Sequence, residues 1–408
     1  MSPRDLLVAA LPGLPLLGVL ALVLPFLAGR PLAEATVLGL VRRLSQAHLL
    51  LAALLLASLP LLGPTSVHLG RWYGDADYAL EIVLRLEGLT GAAALVVALV
   101  AAVVLRFSER ALHREEGHLR YFATLLLALA CLDLVVLAQA LDLLFVGWEL
   151  LGLCSFLLIA FFHQREASVA RALRAIFSYR VADLGLLAAM ILLHTAHTSD
   201  QLGGPPRLEG TLALSVGLLL ALTAAGKAGL VPFSSWLGTA AEGPTPSTAL
   251  FYGALSLHAG PWLLLRAWPL YGDSVGARVA LVVLGLVAAL SATAHGRTRA
   301  DIKGALLMRG SAQVGLIVAE IGLGLHTLAA LHMLGNIGLR TWQILHAPAA
   351  IQDSARAEVP SAASTRLWLL SSEGWFEPVV QRVVGGVVGV GRVLDAASRR
   401  VERAVEGP

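Results

Sequence analysis

Charge is what this chain has least of. Asp, Glu, Lys and Arg supply 14% of its 408 residues, where a soluble domain carries about a quarter. So little charge excludes an ordinary soluble fold. The net charge of +3 comes from basic residues that fall mostly in short segments between apolar runs, so no nucleic-acid partner is expected. Cysteine is almost absent. Cys131 and Cys154 stand alone inside apolar runs, as small hydrophobes do in helix packing. Without a CxxC or Cys/His spacing, no zinc, haem or iron–sulfur ligation is expected and no metal site is assigned. A glycine-rich phosphate loop, a nucleophile elbow and an extended soluble region are all missing. The chain therefore has no recognisable site for NADH or flavin, no catalytic residue and no expected cofactor.

Apolar residues fill the space that charge leaves, at 57% of the chain. Gly88 to Leu105 is 18 residues without a charge, long enough to cross a bilayer. A lipid environment forces such segments into helices, because the backbone must satisfy itself. The expected fold is an all-α polytopic membrane protein of about eleven helices. Their centres fall near Leu16, Ala53, Val97, Ala128, Leu151, Leu187, Leu219, Leu255, Leu284, Val314 and Leu334. Leu6 to Ala28 is too long for a signal-peptide core and reads as the first of them. Residues 67–87 are hydrophilic and form an extramembrane loop, with Trp72, Tyr73 and Tyr78 as interface anchors or parts of a short hairpin. Hydropathy collapses after Leu345. Residues 347–372 read as a linker, and 373–408 as an amphipathic helix lying laterally on the membrane. Basic clusters at Arg42–Arg43, Arg106–Arg120, Arg165–Arg174 and Arg297–Lys303 all fall on one side if the N-terminus is outside and the C-terminal tail inside a cytoplasmic membrane.

The few charges inside apolar runs then become the informative residues. An ionisable group at membrane depth is costly, so it faces a wet interior, has a partner and marks an ion path. Glu149 lies in Gly147-Trp148-Glu149-Leu150, and Lys227 lies between Leu212 and Val231. An acid and a lysine on different helices are the minimal parts of a proton or ion relay. Gly226, Gly229 and Pro232 should break the helix that carries Lys227, as transporters do at their ion sites. Arg180 and Asp183 share a helix face. They form a local ion pair, or Asp183 tunes the Glu149–Lys227 pair. Asp133, between Leu132 and Leu134, needs a partner. His332, Asn336 and Arg340 recur every fourth residue, a polar stripe that suits a proton wire or interhelical hydrogen bonding. Glu320 lies one helix earlier, and Tyr252 and His258 sit between Lys227 and that stripe as intermediates.

From Leu84 to Leu345 these motifs are collinear: Leu144-Phe-Val-Gly-Trp-Glu149, Arg180-Val-Ala-Asp183, Gly226-Lys227, Glu242-Gly-Pro-Thr-Pro246, Asp301-Ile-Lys303 and Gln313-Val-Gly315. Taken together they resemble the antiporter-like membrane subunits of respiratory complex I and of multi-subunit Na⁺/H⁺ antiporters, above all the large distal subunit of NADH:quinone oxidoreductase. The resemblance implies two inverted five-helix repeats, each with a broken helix, and a relay in which Glu149 and Lys227 act and Asp183 modulates. On that frame residues 1–119 hold three preceding helices, 120–268 the first repeat and 277–346 part of a second. The chain departs from the family pattern at Tyr252, Asn336 and Arg340, where His, His and Lys are usual, and no second broken helix follows. The implied role is a proton-translocating subunit of a larger energy-coupling complex, with other subunits, the lipid bilayer and H⁺ (or Na⁺) as partners. An Mrp-type antiporter, an inorganic-carbon uptake system and a non-transporting scaffold are the competing roles.

Overall fold

The computed structural model describes residues 2–74, 79–205, 207–299 and 301–347, together with Arg382. The expected linker and lateral helix, 348–408, lie outside the described residues apart from Arg382. Among the described residues, ten helices are long and apolar enough to cross a membrane. In chain order they are α1 (Pro3–Leu27), α2 (Glu34–Leu62), α3 (Gly88–Ala111), α4 (His118–Leu137), α5 (Leu141–Ile159, extended to Phe162 by a 3₁₀ turn), α6 (Glu166–Thr195), α7 (Gly210–Lys227), α8 (Thr245–Arg266), α9 (Val275–Thr298) and α10 (Ile302–Gly322). An eleventh helix, α11 (His326–Leu345), has the length, but His326, His332, Asn336, Arg340 and Gln343 leave it too polar to join that set. Each expected centre falls inside one of these eleven helices.

Local chemistry sets the boundaries. Ser2 caps α1 by accepting from the Asp5 amide, while Asp5 accepts from the Ser2 amide, a reciprocal arrangement that satisfies two otherwise orphaned donors. The Arg4 guanidinium donates to the carbonyls of Leu62 and Gly63, at 3.1 and 2.6 Å, and so fastens the start of α1 to the end of α2. Between α2 and α3 the chain forms an antiparallel hairpin, β1 (Thr65–Gly74) and β2 (Ala79–Leu86). Trp72 and Tyr73 are exposed on it. Its far end is tied to the bundle: Glu87 accepts from Arg266 at 2.7 Å, and Arg266 also donates to the Ala138 carbonyl.

The basic clusters gather at the opposite end. Arg42 and Arg106 both bind Glu109 across α2 and α3. Arg120 at the start of α4 donates to the Phe161 carbonyl beyond α5. Arg171 pairs with Glu242, and Arg299 donates to the Gly238 carbonyl. These contacts collect the clusters at one end of the bundle, away from the hairpin.

Two helices depart from regularity, and both matter below. Gly226, Gly229 and Pro232 are all candidates to break α7, and the helix stops at Lys227. Gly229 adopts φ +59°, and the amides of Leu230 and Gly229 turn back to the carbonyls of Ala225 and Gly226. This is the hydrogen-bond pattern of a glycine-terminated helix, so Gly229 ends α7 before Pro232 can. The chain then runs through a cis Val231–Pro232 bond into a 3₁₀ segment, Ser234–Glu242. Trp236 Nε1 donates to the Gly226 carbonyl at 3.2 Å, and Ser311 Oγ donates to the Gly229 carbonyl at 3.1 Å. Carbonyls released by the break are thereby satisfied inside protein, as hydrocarbon surroundings demand. The second irregular helix, α8, is buried along its length and contains a π-helical turn at Ala249–Ala254.

Candidate ion-relay site

Lys227, the last residue of α7, is 1% exposed. Two missing side chains make its position possible. A Cβ on Gly226 would overlap the Cβ of Ala182, so α7 presses directly onto α6 just beside Asp183. A Cβ on Gly152 would lie 3.2 Å from Lys227 Nζ and 3.1 Å from Arg180 Nη2, so α5 leaves room for both cations. The ammonium donates to the Trp148 carbonyl at 2.9 Å. It also lies 4.8 Å from the ring centres of both Trp148 and Tyr179, within the range where a ring face attracts a cation.

Trp148 joins Lys227 to Asp183. Its indole Nε1 donates to Asp183 Oδ1 at 2.6 Å while its carbonyl holds the lysine. Asp183 is buried, and its Oδ2 has no hydrogen-bond partner among the described residues. A buried carboxylate and a buried ammonium thus flank one tryptophan, with one carboxylate oxygen left free for a proton or water.

Glu149 points elsewhere. Its carboxylate pairs with Arg180, whose guanidinium also reaches the Glu149 carbonyl. No salt bridge joins Glu149 to Lys227, and Arg180 and Asp183 do not pair with each other despite sharing a helix face. The charges instead form two layers: Glu149–Arg180, with side chains 20% and 43% exposed, and behind it Asp183–Trp148–Lys227. Successive residues on a helix diverge by about 100°, since 3.6 of them make one turn. Trp148 and Glu149 therefore cannot both face Lys227.

Beyond Lys227 a hydroxyl chain continues. The Tyr179 ring stacks on the ammonium, its hydroxyl meets Ser155 Oγ at 3.1 Å, and Ser155 Oγ meets the Tyr252 hydroxyl at 2.7 Å. Tyr252 sits in the π turn of α8. The same turn positions His258, whose Nδ1 donates to the Ala254 carbonyl. His258 Nε2 lies 3.0 Å from Asn336 Nδ2. Arg340 Nε donates to Asn336 Oδ1 at 3.3 Å, which fixes the amide so that its NH₂ faces the histidine. The expected polar stripe on α11 is therefore divided. Asn336 and Arg340 turn inward to His258, whereas His332 turns to α10, with Nδ1 2.9 Å from Glu320 and Nε2 2.9 Å from Gln313.

Three participants escape the sequence reading: the Trp148 backbone carbonyl, Tyr179 and Ser155. A backbone acceptor leaves no trace in sequence, and the other two look like ordinary packing residues. Asp133 has its partner in His48 of α2, at 2.8 Å, and both are buried. Among the described residues no group of three or more His, Cys, Asp or Glu is placed to hold a metal ion.

Residues 138–352 match the model of the NADH:quinone oxidoreductase/Mrp antiporter transmembrane family. The chain belongs to that family. The match takes in the broken helix, the π-containing α8 and each of the candidate relay residues. Subunit L of NADH-quinone oxidoreductase from Mycobacterium tuberculosis is 32% identical over 297 residues, covering 70% of this chain and 47% of the relative. The chloroplastic NAD(P)H-quinone oxidoreductase subunit 5 of Mesostigma viride is 29% identical over 296 residues, 70% of this chain and 45% of its own. The chain thus spans less than half the length of these relatives. Among solved structures, the Mrp complex from Dietzia sp. DQ12-45-1b aligns at a TM-score of 0.73 with 25% identity, over 84% of this chain and 37% of that one. The archaeal membrane-bound sulfane sulfur reductase complex shares the fold, with a TM-score of 0.70 at 20% identity over 83% of this chain and 70% of that one. This family member is an antiporter-like membrane subunit.

Proposed function

We propose that the chain is a proton-translocating subunit of a multi-subunit energy-coupling complex in a cytoplasmic membrane, with its N-terminus outside and its basic end inside. The carrying observation is Lys227: a wholly buried ammonium at the end of a broken helix, held by a carbonyl and two ring faces rather than by an ion pair. A lysine tied into a salt bridge would serve packing. One held by neutral acceptors can release its proton without breaking a direct ion pair. Glu149 and Arg180, the more exposed layer, form the mouth of the path. Asp183 exchanges charge with Lys227 across Trp148, and Tyr179, Ser155 and Tyr252 carry the proton on towards His258, Asn336 and Arg340. The driving chemistry lies in partner subunits. Likeness to the Mrp complex supports cation/proton exchange as the second reading, in which the same carboxylates admit Na⁺.

Lys227→Ala in the reconstituted complex tests the relay. Proton flux into vesicles is expected to fall at least about tenfold, equivalent to about 1.4 kcal/mol on the barrier, with subunit stoichiometry unchanged. Unaltered flux would leave the chain as a scaffold.

A further inference from the structure

The outward face formed by α10 and α11 is built neither for lipid nor for water. On α10, Arg309, Gln313, Leu316 and Glu320 recur every three or four residues along one exposed or half-exposed stripe. On α11 the adjoining stripe is Leu328, Leu331, Gly335, Gly338, Leu339 and Trp342, all exposed. The first stripe is polar where a lipid-facing helix should be apolar. His332 and Glu320, hydrogen-bonded to each other across the seam, keep 23% and 18% of their side chains exposed. Arg309 lies seven residues inside α10, roughly 10 Å along the axis. It has neither hydrogen bond nor ion pair among the described residues. Arg340 packs against the next residue, its Cγ and Cδ 3.9 Å from where a Cβ on Gly310 would stand, and its own acceptors, Asn336 and Gln343, are neutral. Among the described residues neither guanidinium has a carboxylate partner.

We propose that this face is the docking surface for a transmembrane helix of a different subunit, one that brings a carboxylate to the level of Arg309. Gly335 and Gly338 have no atom within 4 Å of where a Cβ would stand, so the notch between them admits close approach of a helix backbone. The incoming helix covers the His332–Glu320–Gln313 seam and supplies the anion that Arg309 lacks among the described residues. A lipid phosphate can reach Arg309 but leaves the seam, deeper in the hydrocarbon, facing acyl chains. A second copy of this chain is disfavoured by charge, since a two-fold axis along the membrane normal sets the two Arg309 side chains at one depth. The inference does not depend on the proton relay.

The test uses the whole complex in native membranes. A photo-crosslinking residue replaces Leu331 or Leu339 on the face, and Leu290, 73% exposed on α9, serves as control. Expected are adducts from the first two sites, but not the third, with a membrane-spanning peptide of another subunit that contains Asp or Glu. Arg309→Glu should reduce those adducts at least about tenfold, and reversing the partner's carboxylate to Arg should restore them. Arg309→Gln, with elution volume and yield compared with the parent, excludes misfolding as the cause. Adducts with lipid alone, adducts with a second copy, no adduct, or adducts indifferent to Arg309→Glu would each overturn the proposal. Because proton flux is not the readout, its failure is distinguishable from failure of the relay.

Discussion

Replacing His48 with leucine is expected to destabilise the protein by about 2–3 kcal/mol, since leaving a buried polar group without its partner costs about 1–3 kcal/mol and more where that group is charged. His48 Nε2 and Asp133 Oδ2 lie 2.8 Å apart, with side chains 2% and 0% exposed. Asp133 Oδ1 already lacks a hydrogen bond, so losing the imidazole strips the carboxyl group of its remaining partner. The pair joins α2, which precedes the family-matched region, to α4, adjacent to its start. Unfolding in bicelles, followed against denaturant, measures the loss. The double variant His48→Leu/Asp133→Leu should regain most of it, because no polar group is then left behind. A single variant within about 1 kcal/mol of the parent would show that the pair does not hold these helices together.

Glu149→Gln is expected to lower proton flux about tenfold, although Glu149 does not touch Lys227. Arg180 and Lys227 both crowd the side of Gly152, and the structure balances them with two carboxylates, Glu149 on Arg180 and Asp183 across Trp148. Remove Glu149 and two cations share one carboxylate in a poorly hydrated site, where like charges interact far more strongly than in water. Glu149→Gln combined with Arg180→Gln removes one charge of each sign and should recover a substantial part of the flux. A double variant no better than the single would mean that Glu149 itself carries the proton, rather than setting the charge around Lys227. Initial rates of vesicle acidification decide between the two, with complex assembly checked in parallel.

How much of this was legible in the sequence follows from what leaves a periodic or compositional mark. The helices did, because charge-free runs of membrane length admit few other structures. Gly229 marked the end of α7 as well as Pro232 did, but a glycine terminates a helix only when it adopts positive φ, and composition alone does not say which of the two acts first. Lys227, Asp183, Glu149 and Arg180 stood out as charges in apolar surroundings. Their pairing did not, because it depends on which side of α5 faces α7, and Trp148 and Glu149 differ there by one residue. The polar stripe of α11 was legible as a stripe. Its division between His258 and Glu320 was not, since neighbouring helices take hold of different turns. His48 was invisible as the partner of Asp133, being 85 residues away.

Substituting Lys227 with arginine tests the central claim most directly, because it keeps the charge and removes only the ability to release a proton. Arginine remains protonated throughout the physiological range. In the reconstituted complex, with Lys227→Arg assembling normally, the account predicts flux as low as that of Lys227→Ala. Flux at the parent level would contradict it, since a fixed positive charge at this position would then be all that the protein requires.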